Sequence, residues 1–174
     1  MNRKKFLLNT ATIIPSLALF PQLINGRQSR LQTADPYKTD LVKEFVIAGH
    51  GAKDGDLAKV QSMIADYPNI IFSKYDWGNG DFEAGIEGAG HLGNKDLAEY
   101  LINAGARVTL FVLCMLGKTD LLKPILEQYP KQIFANGPHG FTMLHHAKMG
   151  GKDGEELYTY LLGKGLTETW MKIK

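Results

Sequence analysis

Cysteine is almost missing from this chain of 174 residues: Cys114 is the single one. An internal disulfide and a cysteine-based zinc site are therefore excluded. Cys114 sits in the apolar run Leu110-Phe111-Val112-Leu113-Cys114-Met115-Leu116. Nothing in that run would stabilise a thiolate, so the thiol reads as a buried packing group. Acidic residues are absent from the first 27 positions, where Arg3, Lys4, Lys5 and Arg27 supply four of the 20 basic groups. The rest of the chain has 16 basic groups against 18 acidic ones, a net of −2. Such a body has no electrostatic footprint for nucleic acid, and none is expected as a partner. With 44% hydrophobic and 22% charged residues, the composition is that of one folded domain with a real core.

The basic start and the mostly apolar stretch Phe6 to Ile24 have the layout of a secretory signal, so residues 1–27 are set aside from the fold. Asn2-Arg3-Lys4-Lys5-Phe6-Leu7-Leu8 resembles a twin-arginine export motif with Lys4 in place of the second arginine. The general secretory route fits as well. The alternative is an uncleaved N-terminal anchor, disfavoured by the polar residues and two prolines within the stretch. Residues 28–38 are polar and aperiodic and read as a flexible linker.

From residue 39 onward the chain repeats itself. Apolar pairs close four amphipathic segments: Met63-Ile64, Leu101-Ile102, Ile125-Leu126 and Leu161-Leu162. Their mean spacing is close to 33 residues, a period of helical repeat arrays. In the first unit Leu57, Val60, Met63 and Ile64 share one helical face, and Pro68 ends the helix. Thr119 reads as an N-cap, and Pro124 within the following helix predicts a bend. In the last unit Leu157, Tyr158, Leu161 and Leu162 are expected to point inward. A second order lies above the first. Ile64-Ala65-Asp66-Tyr67-Pro68 with Ile71-Phe72 recurs 62 residues later as Leu126-Glu127-Gln128-Tyr129-Pro130 with Ile133-Phe134. Each block leads into a glycine-bearing loop, Trp77 to Phe82 and Gly137 to Phe141, so the two loops are expected on one edge.

The stretch Ala84 to Ala106, with its Gly88-Ala89-Gly90-His91-Leu92-Gly93-Asn94 core, resembles the ankyrin pattern TPLHxAAxxGNxxxVxxLLxxGA, with Glu87 where histidine usually stands. Thr142-Met143-Leu144-His145-His146-Ala147 matches its TPLHxA portion except for the proline. Together with YDWGNGDFE, LCMLGKTDLL and GPHGFTMLHHAKMGG, these segments resemble a group of short bacterial ankyrin repeat proteins over roughly residues 40–165. The resemblance implies an all-α ankyrin-repeat solenoid of about four helix pairs with short or missing β-hairpin fingers. The units would cover about 39–73, 80–108, 109–135 and 140–165, with a C-terminal cap at 166–174 that includes Trp170. Ala89, Gly90, Gly93, Gly105, Leu144, His145 and Ala147 would be repeat-motif positions. Small residues allow close helix packing, and the glycines allow turns and left-handed caps.

Rigidly held loops tend to carry binding. The expected protein-contact residues are Asp76, Trp77, Asn79, Asp81, Phe82, His91, Pro138, His139 and Phe141. Trp77 and Phe82 could equally fold back as core. The acids Asp76, Asp81, Glu83 and Glu87 read as turn formers and caps. A metal site is not expected from His139, His145, His146 and Glu87, because adjacent histidines on a helix point about 100° apart. No cofactor, catalytic residue or small-molecule substrate is expected. The function read from the sequence is a non-enzymatic protein-interaction module, exported to the periplasm or tethered to the membrane by an uncleaved N-terminus. An accessory protein of one dedicated exported enzyme is a second reading. A hydrolase using Glu87, His139 and His145 is a third and weaker one.

Overall fold

The computed structural model describes residues 35–51 and 56–173. Residues 1–27, read above as an export signal, and most of the expected linker lie outside these residues, and Asp35 to Lys38 have no regular structure. Tyr37–Lys174 is a compact unit and is mostly helical. Its eight α-helices among the described residues are α1 (Thr39–Gly49), α2 (Asp56–Asp66), α3 (Gly85–Leu92), α4 (Lys95–Asn103), α5 (Leu110–Met115), α6 (Thr119–Gln128), α7 (Met143–Met149) and α8 (Glu155–Gly163). The only sheet among these residues is the pair β1 (Tyr75–Asp76) and β2 (Phe82–Glu83), with Tyr75 opposite Glu83. Among the described residues no helix is long and apolar enough to cross a membrane.

The helices pair in chain order, α1 with α2, α3 with α4, α5 with α6 and α7 with α8. The first helices of the pairs also touch in sequence, α1 to α3 to α5 to α7. In addition α3 reaches α7 directly, past an α5 of only six residues. Two apolar cores result. Phe45, Val60, Ile70, Leu97 and Leu101 belong to the first, and Cys114, Leu122, Leu126, Met143 and Leu157 to the second. Burial pushes the Cys114 thiol pKa up, which agrees with a packing role.

Glycine and small residues set these distances. A Cβ on Gly49 would run into the backbone of Gly85, and one on Gly90 would lie 3.1 Å from Val112 Cγ2. Gly93 caps α3 in the left-handed conformation at φ 76°, and Gly105 follows α4 at φ 96°. The helix starts are marked by Asn94, Thr109 and Thr142, whose side-chain oxygens accept backbone N–H bonds from Leu97, Val112 and His145.

Two expectations change. Thr119 is the first residue of α6 and Lys118 occupies the cap, without a side-chain bond. The side chain of Thr119 is buried, so it goes to packing. Helix α6 continues through Pro124 to Gln128, although the proline has no N–H to give the Asp120 carbonyl. Leu57 and Leu162 stay exposed; the helices bury Val60, Met63, Leu157 and Leu161 instead, a narrower stripe than the sequence suggested.

The Gly49–Gly85 approach leaves no room for a methyl group. Gly49→Ala should lower the unfolding free energy by about 1–3 kcal/mol, the usual range for overpacking. Gly163 has open space around it and no positive φ, so Gly163→Ala should raise stability by about 0.4–1 kcal/mol. Urea unfolding of both variants distinguishes the two effects.

Candidate functional site

The turn after β1 is made of Gly78, Asn79 and Gly80, all at positive φ. The Asp76 carboxylate accepts the Gly78 N–H at 2.8 Å, and the Trp77 N–H donates to the Asp81 carbonyl at 2.9 Å. This tight turn places Asp81 and Glu83 on the same side as the second loop. There Gly137 and Phe141 close a short turn and His139 adopts φ 59°. The strained conformation is held from outside. Asp81 accepts the His139 backbone N–H at 2.8 Å and its Nδ1 at 2.9 Å. The two loops predicted to share an edge therefore meet through one carboxylate, 58 residues apart in sequence.

Glu83 is the centre of the arrangement and is fully buried. The Trp77 indole donates to its Oε2 at 2.7 Å, and His139 Nε2 lies 3.2 Å from the same oxygen. His50 Nε2, from the C-terminus of α1, is 3.4 Å from Oε1. His91 Nδ1, in the last turn of α3, is 3.2 Å from Oε1. Neither Glu83 Oε1 nor His91 Nδ1 has a hydrogen-bond partner. The rings crowd together, with centroids 5.0 Å apart for His50 and His91 and 5.4 Å for His91 and His139. Trp77 packs edge-on against Tyr75 and tilted over His139.

Burial dominates the ionisation here. It raises the Glu83 carboxyl above its ordinary range, opposed by the positive charge that His50 and His139 can carry and by bonds from Trp77 and His139. His91 is pushed down to about 3, chiefly by burial and then by the neighbouring imidazoles. It is a neutral base at ordinary pH. His50, Glu83, His91 and His139 each offer a metal-ligating atom, and these atoms lie within 4.8 Å of one another.

The expected contact residues divide accordingly. Asp76, Asn79 and Phe82 are exposed, with Phe82 at 53%. Trp77, Asp81, His139 and Phe141 are half-buried. His91 and Pro138 are buried, His91 because α3 is packed against α1, α5 and α7. Trp77 is committed to the Glu83 cluster, whereas Phe82 on the next pleat points away. Phe141 stacks on His145 at 4.1 Å. The His145 imidazole is 2.9 Å from the His91 carbonyl through Nε2, and since a carbonyl only accepts, that nitrogen donates.

Glu87 behaves as a cap. Its Oε2 accepts the Ala84 N–H at 2.9 Å and pairs with Lys74 at 2.9 Å. Glu87, His139 and His145 thus have different partners and do not form one group. Asp81 and Glu83 are not turn acids, since both are spent on His139. Sequence reasoning passed over His50 altogether. A signal existed: Ala48-Gly49-His50 and Ala89-Gly90-His91 repeat one tripeptide at the ends of α1 and α3.

Comparison with protein-family models, with curated proteins and with solved structures finds no match. What fold and site define is a class in physical terms: a mostly helical domain of chain-ordered helix pairs that gathers three imidazoles around a buried carboxylate.

Buried histidines make the fold acid-sensitive. His146 is fully buried, and burial lowers its pKa from 6.5 to about 4, opposed by a bond to the Thr142 carbonyl and aided by His145. Its folded value lies below the unfolded one, so its contribution to stability is complete above pH 6.5 and is lost as pH falls towards 4. The loss reaches about 3 kcal/mol. Denaturation midpoints between pH 7 and 4 should fall accordingly, and His146→Gln should flatten the profile.

Proposed function

We propose that the protein is a non-enzymatic interaction module, an ankyrin-like solenoid of about four helix pairs exported to the bacterial envelope, which binds a protein partner along the rim made by its two loops. The observation that carries this reading is the Asp81–His139 link. It joins the loop tips of two distant units into one braced edge, and a braced edge loses little conformational entropy on binding. Phe82 and Trp170, each 53% exposed, are the exposed large aromatic side chains on that edge. The C-terminal segment is part of it: Phe141 pairs with Trp170 in a β-bridge, and the Trp170 indole donates to the His139 carbonyl at 2.6 Å.

The ankyrin-like reading is supported by the left-handed glycines after α3 and α4 and by the His145 bond to the His91 carbonyl, which ties α7 to α3. Export rests on the N-terminal sequence alone. Edman sequencing of the protein recovered from cell fractions tests it: a new N-terminus near residue 27 in the periplasm is expected, and an intact Met1 in the membrane fraction would establish the tether instead.

For the rim, a photo-cross-linking amino acid at position 82 should trap one partner in cells, while the same group at Glu99 on α4 should not. Phe82→Ala should weaken the isolated complex by about 2 kcal/mol, the scale of an aromatic hot spot, without lowering the melting temperature. Trp77→Ala should lower stability, because it strips a hydrogen bond from a buried carboxylate. Equal cross-linking from 82 and 99 would sink the rim as the binding edge.

A further inference from the structure

We propose that His50, Glu83, His91 and His139 bind one divalent transition-metal ion of the zinc class, held in a four-coordinate site by three imidazole nitrogens and one carboxylate oxygen. This inference is independent of the partner-binding reading.

The lone pairs decide it. His50 Nδ1 is 2.9 Å from the Val46 carbonyl, and a carbonyl can only accept, so this nitrogen carries the proton. In the neutral ring Nε2 is then a bare lone pair, directed at Glu83. His139 is arranged the same way. Its Nδ1 donates to the Asp81 carboxylate, leaving Nε2 towards Glu83. A carbonyl or carboxylate behind the far ring nitrogen is the usual outer support of a metal-bound imidazole. The Trp77 indole steadies the carboxylate from its Oε2 side, leaving Oε1 for His50 and His91.

A purely ionic account falls short. Protonating His139 explains the contact to Oε2. It still leaves Glu83 Oε1 and His91 Nδ1, both buried and without a hydrogen-bond partner, facing each other at 3.2 Å. No N–H···O bond joins the two atoms, and each buried group left without a partner costs free energy. A cation between them satisfies both.

The dimensions and charge agree. Zinc–ligand bonds of about 2.0–2.1 Å in a tetrahedron give ligand separations of about 3.3 Å. Glu83 Oε1 lies 3.4 Å from His50 Nε2 and 3.2 Å from His91 Nδ1, His139 Nε2 lies 3.2 Å from the neighbouring Oε2, and the four ligand atoms lie within 4.8 Å of one another. A +2 ion would balance the Glu83 and Asp81 carboxylates with all three rings neutral. An entry path exists, because the His50 and His139 side chains are 21% and 29% exposed. With three imidazoles and a carboxylate filling four positions, the site has the closed character of a structural centre. It would clip α1, β2, α3 and the second loop together.

The test is titration of chelator-stripped full chain with Zn²⁺ against a chromophoric competitor. One ion per chain is expected, with Kd below about 1 μM. Glu83→Gln and His139→Gln should each weaken binding at least about 100-fold with unchanged far-ultraviolet circular dichroism. If Glu83→Gln fails to fold, His50→Gln at the partly exposed helix end gives the same reading. Asp81→Asn should weaken binding about 10–100-fold through the His139 orientation alone. Co²⁺ in place of zinc should give the intense visible absorption of a tetrahedral ion. Folded wild type that takes up no zinc, or variants that bind as tightly as wild type, would overturn the site. A weak octahedral cobalt spectrum would overturn the four-coordinate assignment.

Discussion

A single carboxylate, Glu83, is fully buried at the meeting point of elements that are far apart in sequence, and most of the local architecture follows from having to accommodate it. An isolated buried carboxylate is too costly to keep ionised, so it must be surrounded by donors or cations. Here the indole of Trp77 and the rings of His50, His91 and His139 surround it. Each brings a constraint with it. His139 reaches Glu83 only in a left-handed backbone conformation, and Asp81 holds that conformation by taking both its N–H and its Nδ1. Trp77 can turn its indole to Glu83 because two glycines and Asn79 fold the intervening turn tightly.

The helical scaffold is shaped to deliver these groups. His50 terminates α1, and α1 comes close enough to α3 only because Gly49 meets the backbone of Gly85. Gly88 continues the fit, since a Cβ there would lie 3.1 Å from His50 Nδ1. On the far side, His145 of α7 takes up the His91 carbonyl, fixing the end of α3 where His91 points to Glu83. The small residues that a repeat array uses for close stacking therefore also set the position of two of the three imidazoles.

This explains how the sequence was legible in one respect and not in another. Helix pairs were readable because Val60, Met63, Leu97, Leu101, Leu157 and Leu161 recur at helical spacing, and because Gly93 and Gly105 mark turns that only a left-handed residue completes. The shared edge of the two loops was readable from the 62-residue correspondence. That the loop tips touch was not, since contact between Asp81 and His139 depends on a tertiary distance that no local pattern encodes. His50 was hidden beside Gly51 in what reads as turn punctuation. Asp81 and Glu83 were hidden by the rule that acids next to glycines form turns, a rule that Asp76 obeys and these two do not. Trp77 and Phe82, weighed together as loop aromatics, separate because they fall on either side of the short hairpin.

A stack of helix pairs gains stability mainly from neighbour-to-neighbour contacts, so its ends can loosen independently. The Glu83 centre works against that independence. It takes His50 from the end of the first pair, Glu83 from the strand that precedes the second, His91 from the second pair itself, and His139 from the loop that precedes the fourth, while the third pair contributes packing alone. The direct contact of α3 with α7 runs in parallel with it. Opening the second loop would expose His139 and leave Glu83 short of a partner, and displacing α1 would remove His50 from the same carboxylate. The two ends are thus coupled through one buried charge, and the rim formed by Asp81, Phe82 and His139 keeps its shape only while that charge is satisfied. The shape of the edge and the state of the centre behind it are for this reason one structural problem: whatever neutralises Glu83 also decides how rigid a surface the loops present.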